Sequence, residues 1–235
     1  MIKLLLHTFF LGAGLLACSS LSLKVTPVTI AVVEESDVVS PMDELIVPYT
    51  DSVEMEMNEI LAELEKDLIA NRKPSGNLSN WVADAIFVNQ TKHVRLKEPA
   101  FCLLNHGGIR ATLNKGQITR GDMFKVMPFD NEIVWVRMPI EYLPEIAVFL
   151  RERGGDPISS AIIDENGLQV NGVLERTTYV WIITSDYLLN GGDNMIFFKR
   201  GSEVNRTGKL MRDALIEEAI DQKVLTVDDT NRMQF

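Results

Sequence analysis

The run Thr178-Tyr179-Val180-Trp181-Ile182-Ile183-Thr184 is the strongest strand signal in this chain of 235 residues. β-Branched and aromatic side chains fill it without a break, and such a run needs a sheet around it. It empties into Ser185-Asp186-Tyr187-Leu188-Leu189-Asn190-Gly191-Gly192-Asp193, which ends in a glycine turn. A second apolar run, Ala100-Phe101-Cys102-Leu103-Leu104, reads as a short buried strand and delivers another glycine turn, Asn105-His106-Gly107-Gly108-Ile109-Arg110. Ile133, Trp135 and Arg137 alternate with Val134, Val136 and Met138 as a further strand, covered on both faces outside Arg137. Residues 161–163 and 167–170 read as two short strands, and the Asn166-Gly167 step between them favours a tight hairpin turn.

Helical spacing alternates with these runs. Met57, Ile60, Leu61, Leu64 and Leu68 predict an amphipathic helix over 52–70. A second helix starts near Asn77 with Leu78, Trp81, Val82, Ala85 and Ile86 on one stripe, a core stripe rather than a ligand platform. A third runs from Tyr142 to about Arg153, where Gly154-Gly155 stops it. Thr207 is placed to cap a last one carrying Leu210, Met211, Ala214, Leu215 and Ala219. There is no sustained βαβ rhythm and no internal repeat. The reading is therefore one α+β domain over residues 50–221, with a mixed sheet and packed helices, followed by a weakly patterned tail over 222–235.

Residues 1–17 read as an address. Lys3 gives a thin positive start, Leu4 to Leu16 give an apolar run short for a bilayer span, and Ala17 precedes Cys18. The pattern resembles a bacterial lipoprotein signal, with Cys18 as the lipidated residue and an exported, membrane-anchored product; an ordinary secretory signal is the alternative. Residues 18–49 are then a tether, in which 28–33 reads as a strand. Cys102 is left without an intrachain partner and reads as a buried, inert thiol.

The formal net charge of -10 argues against a non-specific nucleic-acid binder, which needs Lys and Arg in excess. It does not argue against one anionic small molecule held by local arginines. Three histidines, His7, His93 and His106, at no characteristic spacing do not readily supply a two-metal centre, so no metal site is expected in this chain. A nucleophile elbow, a phosphate loop ending in Lys and Ser/Thr, and a dinucleotide fingerprint are all missing.

Binding features are better represented. Gly107 and Gly108 let backbone approach a ligand, Asn105 offers both donor and acceptor, and Arg110 can grip a phosphate through paired donors. The same pattern is also that of a surface turn. Gly191-Gly192-Asp193 is a second such turn, where Asp193 either accepts from ribose hydroxyls or caps its own backbone. Phe129, after Pro128, and Tyr187 are either two walls of an aromatic clamp or core.

Taken in order, Asn105 to Arg110, Gly116-Gln117-Ile118-Thr119 with Asp122, Pro128-Phe129-Asp130-Asn131, and Asp186 to Asp193 closely resemble the C-terminal substrate-binding domain of secreted 5'-nucleotidases and UDP-sugar hydrolases. Asn77 to Ala85 is similar to that family's opening helix, and the likeness covers roughly residues 50–200. It implies that this domain binds a nucleotide or nucleoside. Asn105 and Arg110 would contact substrate, Arg110 toward phosphate. Phe129 and Tyr187 would sandwich the base, Asp193 would hold the ribose hydroxyls, and Asn131 would add a polar contact. Arg72 falls near a family arginine that also approaches phosphate.

Two departures are mild: Tyr187 stands where phenylalanine is common, adding a hydroxyl while keeping stacking area, and Asn194 stands where glycine is common. The large one is the metallophosphatase half, which has no counterpart in these residues. The resemblance thus implies no cofactor in this chain, a divalent metal pair in a partner domain, and a split 5'-nucleotidase of which this is the substrate-binding half. A stand-alone periplasmic nucleotide-binding lipoprotein and a structural lipoprotein without ligand are the other readings.

Overall fold

The computed structural model describes residues 41–70 and 73–234. The expected leader at 1–17, Cys18, the strand expected at 28–33 and Arg72 all lie outside the described residues.

The helix expected over 52–70 is two elements. Helix α1 (Pro41–Met57) stops at Met57, and Ile60–Leu64 is strand β1, paired antiparallel with β3 (Gly116–Thr119) across a bulge. Apolar residues at i, i+3 and i+4 suit a helix, but Leu61, Ala62 and Leu64 are buried while Ile60 is 52% exposed. The pairing with β3 supplies partners that a local pattern cannot reveal, and tertiary context overrides propensity.

Helix α2 (Asn77–Thr91) starts as expected, and Leu78, Trp81, Val82, Ala85 and Ile86 are all in the core. Beyond it the main sheet has the order β5-β2-β8-β4-β9, from strands β2 (Ala100–Leu103), β4 (Glu132–Pro139), β5 (Ile158–Ser159), β8 (Tyr179–Ser185) and β9 (Glu203–Leu210). Strand β8 runs parallel to β2 and antiparallel to β4, so the sheet is mixed. Hairpin β6 (Ala161–Asp164) and β7 (Gly167–Val170) turns through Glu165-Asn166, one residue earlier than the Asn-Gly step, and Gly167 at φ +104 opens β7 opposite Asp164. Between β3 and β4 lies α3 (Arg120–Val126), opened by a capping box in which the Thr119 hydroxyl and the Asp122 carboxylate satisfy each other's backbone amides. Helix α4 (Leu143–Glu152) follows β4, and the short helix α5 (Asp186–Leu189) follows β8.

Each face of the sheet buries its own core. Ile133, Ile183, Cys102 and Leu104 pack on one side with α2 and the last helix, α6 (Met211–Gln222); Phe101, Leu103, Val134, Val136 and Ile182 pack on the other with α4, Phe197 and Phe198. Cys102 is fully buried and free, and burial pushes its thiol well above the usual range, as an inert core thiol requires.

Thr207 does not cap the last helix. It lies within β9, where its hydroxyl donates to the Ile133 carbonyl at 2.7 Å, and α6 begins at Met211 with no side-chain cap. Edge strand β9 is almost entirely exposed, so it carries no apolar alternation to read; backbone bonds to β4 hold it. The weakly patterned tail is packed onto the domain: Met233 is in the core, and the Arg232 guanidinium bridges Asp84 and Asp228.

Candidate functional site

Strand directions decide where the glycine turns meet. β2 and β8 are parallel, so Asn105 and Asp186 leave the sheet at the same end, and the antiparallel β4 enters there, with Ile133 opposite Ser185. The turn before β4 carries Phe129. Three separate connections therefore converge at one sheet end, and between them lies a cavity of about 380 Å³. Asn105, Gly107, Gly108, Arg110, Phe129, Asn131, Tyr187 and Asp193 line it. Phe129 and Tyr187 are each 45% exposed. They are cavity walls, not core.

Local chemistry fixes each wall. The Asp186 carboxylate accepts from the backbone amides of Glu132 (3.2 Å) and Tyr187 (2.8 Å), so one side chain ties the Phe129 turn to the Tyr187 turn. Arg212 of α6 braces the Phe129 turn from below by donating to the Met127 carbonyl and the Asp130 carboxylate. A Cβ on Gly192 would lie 2.5 Å from the Tyr187 ring, so this glycine lets the ring lie flat on the turn. Gly191 has φ +89, and Asp193 and Asn194 are left-handed at +52 and +62, a backbone that Asp and Asn tolerate better than most residues. Gly107 and Gly108 serve close approach: a Cβ on either would come within 3.2 Å and 3.1 Å of the Asn105 amide.

Asp193 is the electrostatic centre. Its Oδ2 accepts from Asn105 Nδ2 at 2.8 Å and from Arg153 at 2.6 Å, while Oδ1 accepts from the Tyr187 hydroxyl at 3.0 Å. Burial opposes ionisation, but the Asn105 and Tyr187 hydrogen bonds and the Arg153 charge outweigh it and hold the carboxyl below its ordinary value. Among the described residues Arg110 donates only to the Gly107 carbonyl, at 3.3 Å, and it is the sole cation among the lining residues. The Asn131 side chain has no hydrogen bond among the described residues, which leaves its amide available to a ligand.

Sequence reasoning missed Arg153 and Asp156. Arg153 stands at the end of α4, where the glycines after it read only as a helix stop. It donates to Asp156 at 2.6 Å as well as to Asp193, and the fully buried Asp156 side chain accepts from the His106 backbone amide at 3.0 Å. These residues lock the His106 loop to the Asp193 turn. The signal that could have found them is the run Arg153-Gly154-Gly155-Asp156 itself, an ion pair straddling a glycine turn.

Residues 59–139 match the family model described as 5'-nucleotidase, C-terminal domain. That segment is about a third of the chain, and over it the chain resembles the 5'-nucleotidase C-terminal domain family. An apyrase of Tabanus yao is 25% identical over 218 residues, covering 76% of this chain and 38% of the apyrase. A 5'-nucleotidase of Vibrio parahaemolyticus is 26% identical over 149 residues, covering 61% and 25%. Among solved structures, the 5'-nucleotidase precursor from Thermus thermophilus shares the fold, with a TM-score of 0.62 at 22% identity over 81% of this chain and 42% of that one. The chain thus spans two-fifths or less of the length of these curated relatives. Among the described residues, no group of three or more His, Cys, Asp or Glu is placed to hold a metal ion.

His106 gives a pH test of the loop. Burial first, then the charges of Lys73 and Arg153, push its imidazole from 6.5 down to about 4. The unfolded chain takes up a proton as pH falls through 6.5, while the folded chain holds out to about 4. Stability is therefore present above pH 6.5 and lost on acidification, by about 2 kcal/mol at pH 5. Urea unfolding at pH 7 and pH 5 should show that loss, reduced by half or more in His106→Gln. Equal losses in both proteins would remove His106 as the cause.

Proposed function

We propose that this domain is the nucleotide- or nucleoside-binding half of a 5'-nucleotidase and positions substrate for hydrolysis by a two-metal phosphatase domain carried outside these residues. The observation that carries the reading is the convergence on one cavity of two exposed aromatic rings, one ionised carboxylate and one cation free to meet an anion. Phe129 and Tyr187 stack on the base, Asp193 accepts from the sugar, Asn105 and Asn131 add polar contacts, and Arg110 faces the phosphate. The partner domain's metals, when bound, polarise the phosphoryl group and activate water; this chain's own residues bind and orient. A separate polypeptide anchored to the same membrane fits that partner, since shared anchoring raises effective concentration. The anchor in this proposal is a lipid on Cys18 of an exported chain. Among the described residues no helix is long and apolar enough to cross a membrane.

Calorimetric titration of the purified protein with AMP, adenosine and UDP-glucose tests the binding reading. Phe129→Ala is expected to weaken nucleoside binding about 10- to 100-fold, the worth of one stacking platform at about 1–3 kcal/mol. Absence of binding by all three ligands would sink the proposal. Robust phosphate release by this protein alone with Mn²⁺ or Co²⁺ would overturn the assignment of catalysis elsewhere.

A further inference from the structure

The surroundings of Asp193 bear on which sugars the cavity accepts. An ionised carboxylate offers two oxygens and about four lone-pair directions. Asn105 and Arg153 both donate to Oδ2, and the Tyr187 hydroxyl donates to Oδ1, so one direction on Oδ1 stays open. None of the three donors is free to leave cheaply. Arg153 also bonds the Asp156 carboxylate and the Asp193 carbonyl, Asn105 stands against the two glycines of its own loop, and the Tyr187 ring rests where a Gly192 side chain would be. The hydroxyl cannot reverse its role either, because a carboxylate has no proton to give it.

We infer that the Tyr187 hydroxyl leaves Asp193 able to take one sugar hydroxyl rather than two, making this a site that accepts deoxyribonucleosides as readily as ribonucleosides. The inference rests on the nucleoside-binding reading above and names its substrate class. A cis-diol entering the cavity gives its first hydroxyl to Oδ1. Its second reaches only the phenolic oxygen of Tyr187, a neutral acceptor, and a neutral hydrogen bond is about half as strong as one to a charged oxygen. A site selects for a hydroxyl when it would otherwise bury an unpaired polar group. Here Tyr187 already pairs the carboxylate, so a sugar lacking one hydroxyl leaves nothing unpaired. The hydroxyl that distinguishes Tyr187 from phenylalanine is then a specificity element, and the ring keeps its stacking role.

The test titrates adenosine, 2'-deoxyadenosine and 3'-deoxyadenosine into the full chain and into Tyr187→Phe. The wild-type protein is expected to bind all three within about threefold of one another, whereas Tyr187→Phe should bind adenosine about tenfold more tightly than either deoxynucleoside, a single charge-assisted hydrogen bond regained. Wild-type preference for adenosine of tenfold or more, unchanged in the variant, overturns the inference while leaving the binding reading standing. No binding of any nucleoside by the wild-type protein overturns both. A ligand-free readout is the carboxyl ¹³C titration of Asp193, which should move up in Tyr187→Phe; identical titrations in the two proteins would show that the hydroxyl does not hold the carboxylate, and would overturn the inference whatever the affinities.

Discussion

Arg153→Ala is expected to be the most damaging single substitution around the cavity, costing about 3–5 kcal/mol of stability, because it removes the cation from a buried pair. Asp156 has a fully buried side chain, and burial already raises its carboxyl above the ordinary value with Arg153 beside it. Without the guanidinium it keeps only the His106 amide, and it takes up a proton instead of remaining a lone buried anion. Its folded pKa then lies further above the unfolded one, so the penalty is small below the unfolded value, grows as pH rises from there and levels off once pH passes the folded one. Urea unfolding of wild type and variant at pH 5 and pH 7 should therefore give a larger difference at pH 7. Loss of the Arg153 charge also relieves the downward push on the His106 imidazole, so the variant loses less stability on acidification and the His106 change acts in the same direction. Arg153→Met combined with Asp156→Asn should recover part of the stability, since no charge is left buried, yet bind nucleoside no better than Arg153→Ala, because Asp193 has still lost its brace. A loss under about 1 kcal/mol for Arg153→Ala would mean that the pair is as cheap as an exposed ion pair, and would remove Arg153 from the account of how the turn is held.

The parts of the fold legible in the sequence are those whose partners lie within a few residues or whose burial is complete. Strand β8 is a continuous apolar run, and α2 displays its whole core stripe from Leu78 to Ile86. The hairpin declares itself through Asn166-Gly167. Strands β1 and β9 were not legible, for opposite reasons. β1 has apolar residues whose spacing suits a helix, and only pairing with Gly116–Thr119, more than fifty residues away in sequence, makes it a strand. β9 has almost no buried side chain, and its place in the sheet is fixed by backbone bonds that leave no mark on composition.

The cavity shows the same division. Its lining residues could be named because glycine turns and aromatic residues stand at the ends of recognisable strands, and parallel β2 and β8 must open at one end. The second layer was hidden: Arg153, Asp156 and Asp186 are ordinary charged residues in sequence, and their roles exist only once the α4 end, the His106 loop and the Tyr187 turn are brought together.

Asp193→Asn should separate the chemistry of the site from its folding more cleanly than any other change. The residue sits at φ +52, where a β-branched or bulky replacement would strain the backbone, but asparagine tolerates the left-handed region as aspartate does. Volume and backbone are kept, and the cost in stability should stay near about 1 kcal/mol. The electrostatics are not kept. An amide has one acceptor oxygen in place of two, and its NH₂ must face either Arg153 and Asn105 or the Tyr187 hydroxyl and the sugar. Facing the Arg153 side sets donor against donor and releases the turn. Facing the sugar leaves Arg153 satisfied but presents a donor where the ligand's hydroxyl needs an acceptor. Both orientations lose the charge, so nucleoside affinity should fall about 100-fold, consistent with hydrogen bonds to a charged group at about 1.5–3 kcal/mol each. Calorimetry with adenosine measures the loss, and urea unfolding measures the stability beside it. Unchanged affinity in a folded Asp193→Asn protein would show that the carboxylate only caps its turn, and the sugar would have to be held by Asn105 and Asn131 instead.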